Sequence, residues 1–124
     1  DTAVARLYGY DYDIIHSSKD LTNEIESMIT SAEIPYKRGI HWTTDAGYRE
    51  TWGQVMDYRD KGALCVEMEG VGLFTIANYR KCVATGIYVV SDVYSENDWK
   101  LGWEGNDIKR AVGAVIDMII ESIR

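Results

Sequence analysis

Two short apolar runs, ALCVEM at 63–68 and CVATGIYVVSD at 82–92, flank one helix-length segment and end in carboxylates. Runs of this length that are rich in apolar and β-branched residues read as strands. The second is apolar on both faces over Ile87–Val90, as a buried parallel strand requires. A strand at 63–67, a helix at 70–81 and a strand at 83–91 make one crossover unit, which leaves its strands parallel and is nearly always right-handed. Both strands then finish at the same rim of the sheet, where ligands bind in open α/β folds. The spacing therefore predicts that Glu69 and Asp92 approach one pocket.

The rest of the chain fits this plan. Asp1–Tyr12 reads as extended, with Val4, Leu7 and Tyr8 as core contacts. SSKDLTNEIESMITSAE reads as a helix, because Leu21, Ile25, Met28 and Ile29 recur at helical spacing, Ser17, Ser18 or Asp20 can cap it, and Pro35 closes the region. YKRGIHWTT is a strand, DAGYRET a loop, and TWGQVMDYRDKG a short helix stopped by Gly62. VYSENDWKLGWEGND reads as a polar loop. The last helix carries a stripe of Ile108, Val112, Val115, Ile119 and Ile123, broadened by Ala111, Ile116 and Ile120. Strands alternating with helices predict an α/β fold with a mostly parallel or mixed sheet flanked by helices.

Composition narrows the partners. The chain has 124 residues, enough for one modest domain, and a formal net charge of −7. That charge argues against sequence-independent nucleic-acid binding, although a few local cations can still hold an anionic small molecule. No apolar run approaches the roughly 20 residues that span a bilayer. Cys65 and Cys82 lack metal-ligand spacing and read as buried reduced thiols of a cytoplasmic protein. His16 and His41 read as isolated, so no metal site is expected.

Each carboxylate has a structural reading beside the functional one. Glu69 is placed to cap the following helix or to accept two hydrogen bonds from a vicinal diol. Asp92 is placed to open a turn or, partly buried behind four apolar residues, to donate a proton. Glu67, two residues from Glu69, reads as structural or pocket-lining.

The combined pattern VEMEGVGLFTIA…VVSD resembles the signature of the nucleoside phosphorylase and nucleosidase superfamily, which includes purine nucleoside and uridine phosphorylase-like enzymes. GIHWTTDAGYRET is similar to the segment that precedes it in that family. The resemblance implies a three-layer phosphorylase/hydrolase-like fold, with residues 1–124 forming the C-terminal portion of a single domain. It implies that Met68 packs under a ribose, that Glu69 takes its hydroxyls, and that Asp92, set by Ser91, protonates a purine leaving group. Glu67 and Tyr48 join the substrate-binding candidates. Gly47 stands where the purine enzymes carry a base-stacking aromatic, which leaves that task to Tyr48, Trp99 or Trp103. Lys100, Lys109 and Arg110 are candidates for a basic residue that assists the aspartate.

The family's glycine-containing phosphate loop and phosphate-binding arginines have no match here, and DTAVARLYGYD resembles the sequence just beyond them. The implied activity of the intact enzyme is that of a pentosyltransferase: phosphorolysis of a nucleoside to base and ribose 1-phosphate. No cofactor is implied, phosphate being the co-substrate, and the expected assembly is a homo-oligomer. The chain alone is then expected to be inactive. Alternatives are a hydrolytic nucleosidase of the same superfamily and a non-catalytic α/β binding module, flavodoxin- or receiver-like domains sharing the architecture.

Overall fold

Parallel pairing of two strands organises the region around Met68 and Glu69. The computed structural model describes residues 2–11, 14–95, 98–102 and 105–124. Strand β1 (Ile40–Thr43) runs parallel to β2 (Ala63–Glu67), with Trp42 opposite Val66 and Thr43 opposite Glu67. The register shifts between Ile40 and Trp42, an irregularity of the kind that re-aims side chains at a strand end. Contacts divide the chain into two compact units, 1–22 with 38–86 and 23–37 with 87–124.

In the first unit, α1 (Val4–Leu7) packs on α4 (Gly70–Arg80), and α3 (Trp52–Asp60) packs on β2. Thr51 and Gln54 form a reciprocal capping box at the start of α3. Gly62 ends the α3 region at φ +92°, which glycine adopts without a Cβ penalty. The core is aromatic. Trp42 is buried and stacks on Tyr58 with ring centroids 4.3 Å apart, and buried Phe74 meets the His41 ring edge-on at 6.0 Å.

In the second unit, β3 (Asp92–Ser95) pairs antiparallel with β4 (Asp98–Leu101), Asp92 facing Leu101 and Tyr94 facing Trp99. Helix α5 (Asn106–Ser122) follows. Helix α2 (Lys19–Ser31) begins in the first unit and continues into the second.

The α/β class expected from the sequence is borne out: a small parallel sheet accompanied by helices. Several local expectations are not. Residues 4–7 are helical rather than extended, and Ala5 is the buried residue there while Leu7 and Tyr8 are exposed. The region 93–107 contains an antiparallel hairpin, where a loop was expected.

The largest correction concerns residues 83–91, which form no strand. Their exposure alternates, Val83, Tyr88 and Val90 being exposed, so the run is not buried on both faces. At its start, backbone and side-chain groups turn to the beginning of α2: Ser18 N–H donates to the Ala84 carbonyl at 2.7 Å, and the Thr22 and Thr85 hydroxyls lie 2.8 Å apart. The first of these occupies the Ala84 carbonyl. The parallel crossover expected to bring Glu69 and Asp92 to one rim is therefore not formed.

Helix α5 is where the sequence places it, but its contact face is rotated. Ile108, Ala111, Val115 and Met118 are the inward line, whereas Val112, Ile116, Ile119, Ile120 and Ile123 are exposed. An apolar band this broad offers two overlapping stripes, and packing selects one.

Candidate functional site

Strand β2 ends at Glu67, and α4 starts three residues later. This junction must satisfy the first N–H groups of the helix, which have no partner within it. Glu69 occupies the N-cap position yet makes no side-chain cap bond. Glu67 acts instead: its Oε2 accepts the N–H of Glu69 at 2.8 Å and that of Gly70 at 2.5 Å. Its other oxygen, Oε1, accepts from the Thr43 hydroxyl and from His41 Nδ1 at 2.9 Å. Thr43 Oγ1 in turn accepts the Val71 N–H at 3.2 Å.

Two consequences follow from this network. Burial by itself would raise the Glu67 pKa, but the hydrogen bonds from Thr43, Glu69 and Gly70, and then the nearby His41, outweigh it and hold the carboxyl below its ordinary value. The second consequence is division of labour. Glu67 is spent on the helix, with a side chain only 8% exposed, while Glu69 and Met68 stand in solvent. The Glu69 carboxylate touches the Met68 N–H at 3.2 Å. An exposed carboxylate beside an exposed thioether suits the polar and apolar sides of a sugar.

Thr43 was not among the expected site residues, and His41, expected to be isolated, bonds to Glu67. The signal was there: positions 41 and 43 of IHWT alternate with Trp42, so both point to the side of β1 opposite the aromatic core residue.

Asp92 opens β3 in the second unit. Ser91 Oγ donates to Asp92 Oδ2 at 2.9 Å, whereas Asp92 Oδ1 is buried with no hydrogen-bond partner among the described residues. Buried polar atoms are rarely left so. The Gly102 N–H donates to the Ser91 carbonyl at 2.8 Å, tying the open end of the hairpin to the residue that sets Asp92. A Cβ at Gly102 would lie 2.6 Å from that oxygen, so the close approach requires glycine.

The remaining candidates lie on several elements. Tyr48 lies in a 3₁₀ turn (Gly47–Arg49) and is 91% exposed. Trp99 lies on β4, and Trp103 falls outside the described residues. Lys100 is exposed on β4. Lys109 and Arg110 are exposed on α5, where Arg110 pairs with Asp107. His16, Asn78 and Cys82 help to line an open cleft of about 180 Å³ that none of the candidate substrate-binding residues lines. Both cysteines are free, but Cys82 is exposed rather than buried and Cys65 is half-buried. Burial, then the Glu67 charge, pushes the Cys65 thiol up. No group of three or more His, Cys, Asp or Glu among the described residues is arranged to hold a metal, and no described helix is long and apolar enough to cross a membrane.

The family model described as the phosphorylase superfamily matches residues 6–121, and the chain belongs to that superfamily. Within it, the chain is 33% identical over 87 residues to a protein named purine nucleoside phosphorylase DeoD-type from Exiguobacterium sp., a match covering 70% of this chain and 36% of the relative. A protein of the same name from Exiguobacterium sibiricum is also 33% identical over 87 residues, covering 70% of this chain and 37% of that relative. The chain thus spans a little over a third of the length of these relatives. No solved structure matches it significantly.

Proposed function

We propose that the whole protein cleaves the N-glycosidic bond of a purine nucleoside by phosphorolysis, giving the free base and ribose 1-phosphate. The observation that carries this reading is the buried Oδ1 of Asp92, without a partner among the described residues and held beside Ser91 in a chain of the phosphorylase superfamily. A polar atom kept out of water without a partner costs stability, and such an atom is retained where a reacting group will supply the partner. The family membership and the DeoD-type relatives support a purine as that group.

As the bond between C1′ and the base nitrogen breaks, its electron pair moves to the base and the sugar gains oxocarbenium character. Asp92 gives a proton to the departing purine, and Ser91 orients the carboxyl. Glu69 accepts hydrogen bonds from the two ribose hydroxyls, and Met68 supports the sugar's apolar side, so that orientation is set before reaction. A phosphate oxygen then bonds to C1′. The reaction needs no cofactor.

The test is release of free base from inosine, adenosine and uridine by the whole protein, with and without inorganic phosphate. Phosphate-dependent release from a purine nucleoside is expected. Equal release without phosphate would replace phosphorolysis with hydrolysis, and no release from any of the three would end the enzymatic reading.

A further inference from the structure

The paired acids of the junction are chemically unequal, and the inequality has a use. Glu69 sits at the N-cap position, where a carboxylate ordinarily turns inward to accept helix N–H groups. It does not, because Glu67 and Thr43 already accept the N–H groups of Glu69, Gly70 and Val71. We propose that Glu67, locked by Thr43 and His41 of β1, is a positioning residue that holds the 68–70 turn and keeps the Glu69 carboxylate outward for the vicinal diol of a ribose. This inference rests on the function proposed above.

Three observations carry it. Both Glu67 oxygens are taken up by protein donors, so Glu67 acts through the backbone rather than by touching a sugar. Among the described residues, Glu69 has only its contact with the adjacent Met68 N–H to orient it, so the course of the turn decides where its carboxylate points. The Thr43 hydroxyl donates to Glu67 and accepts from Val71, which links strand β1 to the first turn of α4 through one atom. Without this clamp, Glu69 is the nearest carboxylate available to cap the helix, and capping would withdraw it from the ligand.

The experiment compares wild type, Glu67→Gln, Thr43→Val and Thr43→Ser by amide hydrogen exchange, and titrates each with inosine and 2′,3′-dideoxyinosine. Losing a hydrogen bond to a charged group is worth about a factor of ten or more, so Glu67→Gln and Thr43→Val should speed exchange at Glu69, Gly70 and Val71 by roughly tenfold. Exchange in the last turn of α4 should stay within about twofold, and inosine affinity should fall by roughly tenfold while the dideoxy compound is unaffected. Thr43→Ser should restore both readouts. If Glu67→Gln does not fold, the Thr43 pair decides. Unchanged exchange at the three amides overturns the clamp. An equal fall in affinity for both nucleosides overturns the sugar role, since general damage would do the same. A wild-type protein that binds neither nucleoside overturns both the functional reading and the sugar role, whereas the exchange arm still decides the clamp.

Discussion

Thr43 on β1 and Glu67 at the end of β2 stand opposite each other in the parallel register, and the threonine hydroxyl donates to the glutamate's Oε1. The same oxygen of Thr43 accepts the Val71 N–H, so strand pairing and helix initiation share one polar centre. The sheet thereby sets the direction in which α4 leaves it, and with it the presentation of Met68 and Glu69.

Glu67→Gln should destabilise the chain by about 2 kcal/mol, because an amide cannot accept at both positions and its NH₂ faces donors. Urea unfolding of the two proteins side by side measures this. A midpoint equal to wild type would mean that the junction does not depend on the carboxylate.

The same residue makes stability pH-dependent with a defined sign. A depressed folded-state value means that the unfolded chain binds this proton more readily, so the contribution is present above the ordinary glutamate value of about 4.3 and is lost as pH falls through the lower folded value. His41 is the titratable side chain bonded to Glu67, and the Cys65 thiol also feels its charge. Thermal melts between neutral pH and about pH 2.5 should show a steeper acid loss for wild type than for Glu67→Gln. Parallel curves would exclude Glu67 as the source.

The two thiols should react unequally. Cys82 is exposed, whereas the Cys65 thiol is half-buried and pushed up by burial and by Glu67. Iodoacetamide near pH 8 should label Cys82 faster than Cys65 by roughly tenfold, and Glu67→Gln should narrow the gap. Mass spectrometry of the digested protein reads both sites.

Gly102→Ala should disturb the hairpin at Asp92. The added Cβ would meet the Ser91 carbonyl at 2.6 Å, and backbone must move to relieve it, at a cost of about 1–3 kcal/mol. Chemical shifts of Ser91 and Asp92 should change more than those of α3. A variant that melts like wild type with unchanged shifts would contradict the close approach.

Asp92→Asn separates function from structure. Because Oδ1 is buried without a partner among the described residues, replacing the carboxyl by an amide should leave the chain about as stable as wild type. Turnover of a purine nucleoside by the whole protein should nevertheless fall by at least about tenfold, the lower end of what a general acid contributes. Unchanged turnover would remove Asp92 from the reaction.

The helices at 19–31, 52–60, 70–80 and 106–122 and the strands at 40–43 and 63–67 were legible, because their signals are local: periodicity, a polar cap, a glycine stop. The hairpin of β3 and β4 was not read from the sequence. Its polar composition hid it. The segment 83–91 misled for the opposite reason. Its residues favour a strand, but a strand exists only where a neighbour offers its backbone, and the start of α2 competes for those groups.

By itself the sequence determined that the chain is α/β and where its four longer helices lie, and it offered Met68, Glu69 and Asp92 as site candidates. Only the tertiary structure decided which glutamate of VEME caps the helix and which faces solvent. That choice depends on Thr43 and His41, which lie 24 and 26 residues earlier and reach Glu67 only when β1 pairs with β2 in parallel. Spacing along a chain assigns residues to elements. Partners for a carboxylate come from whichever element folding brings beside it.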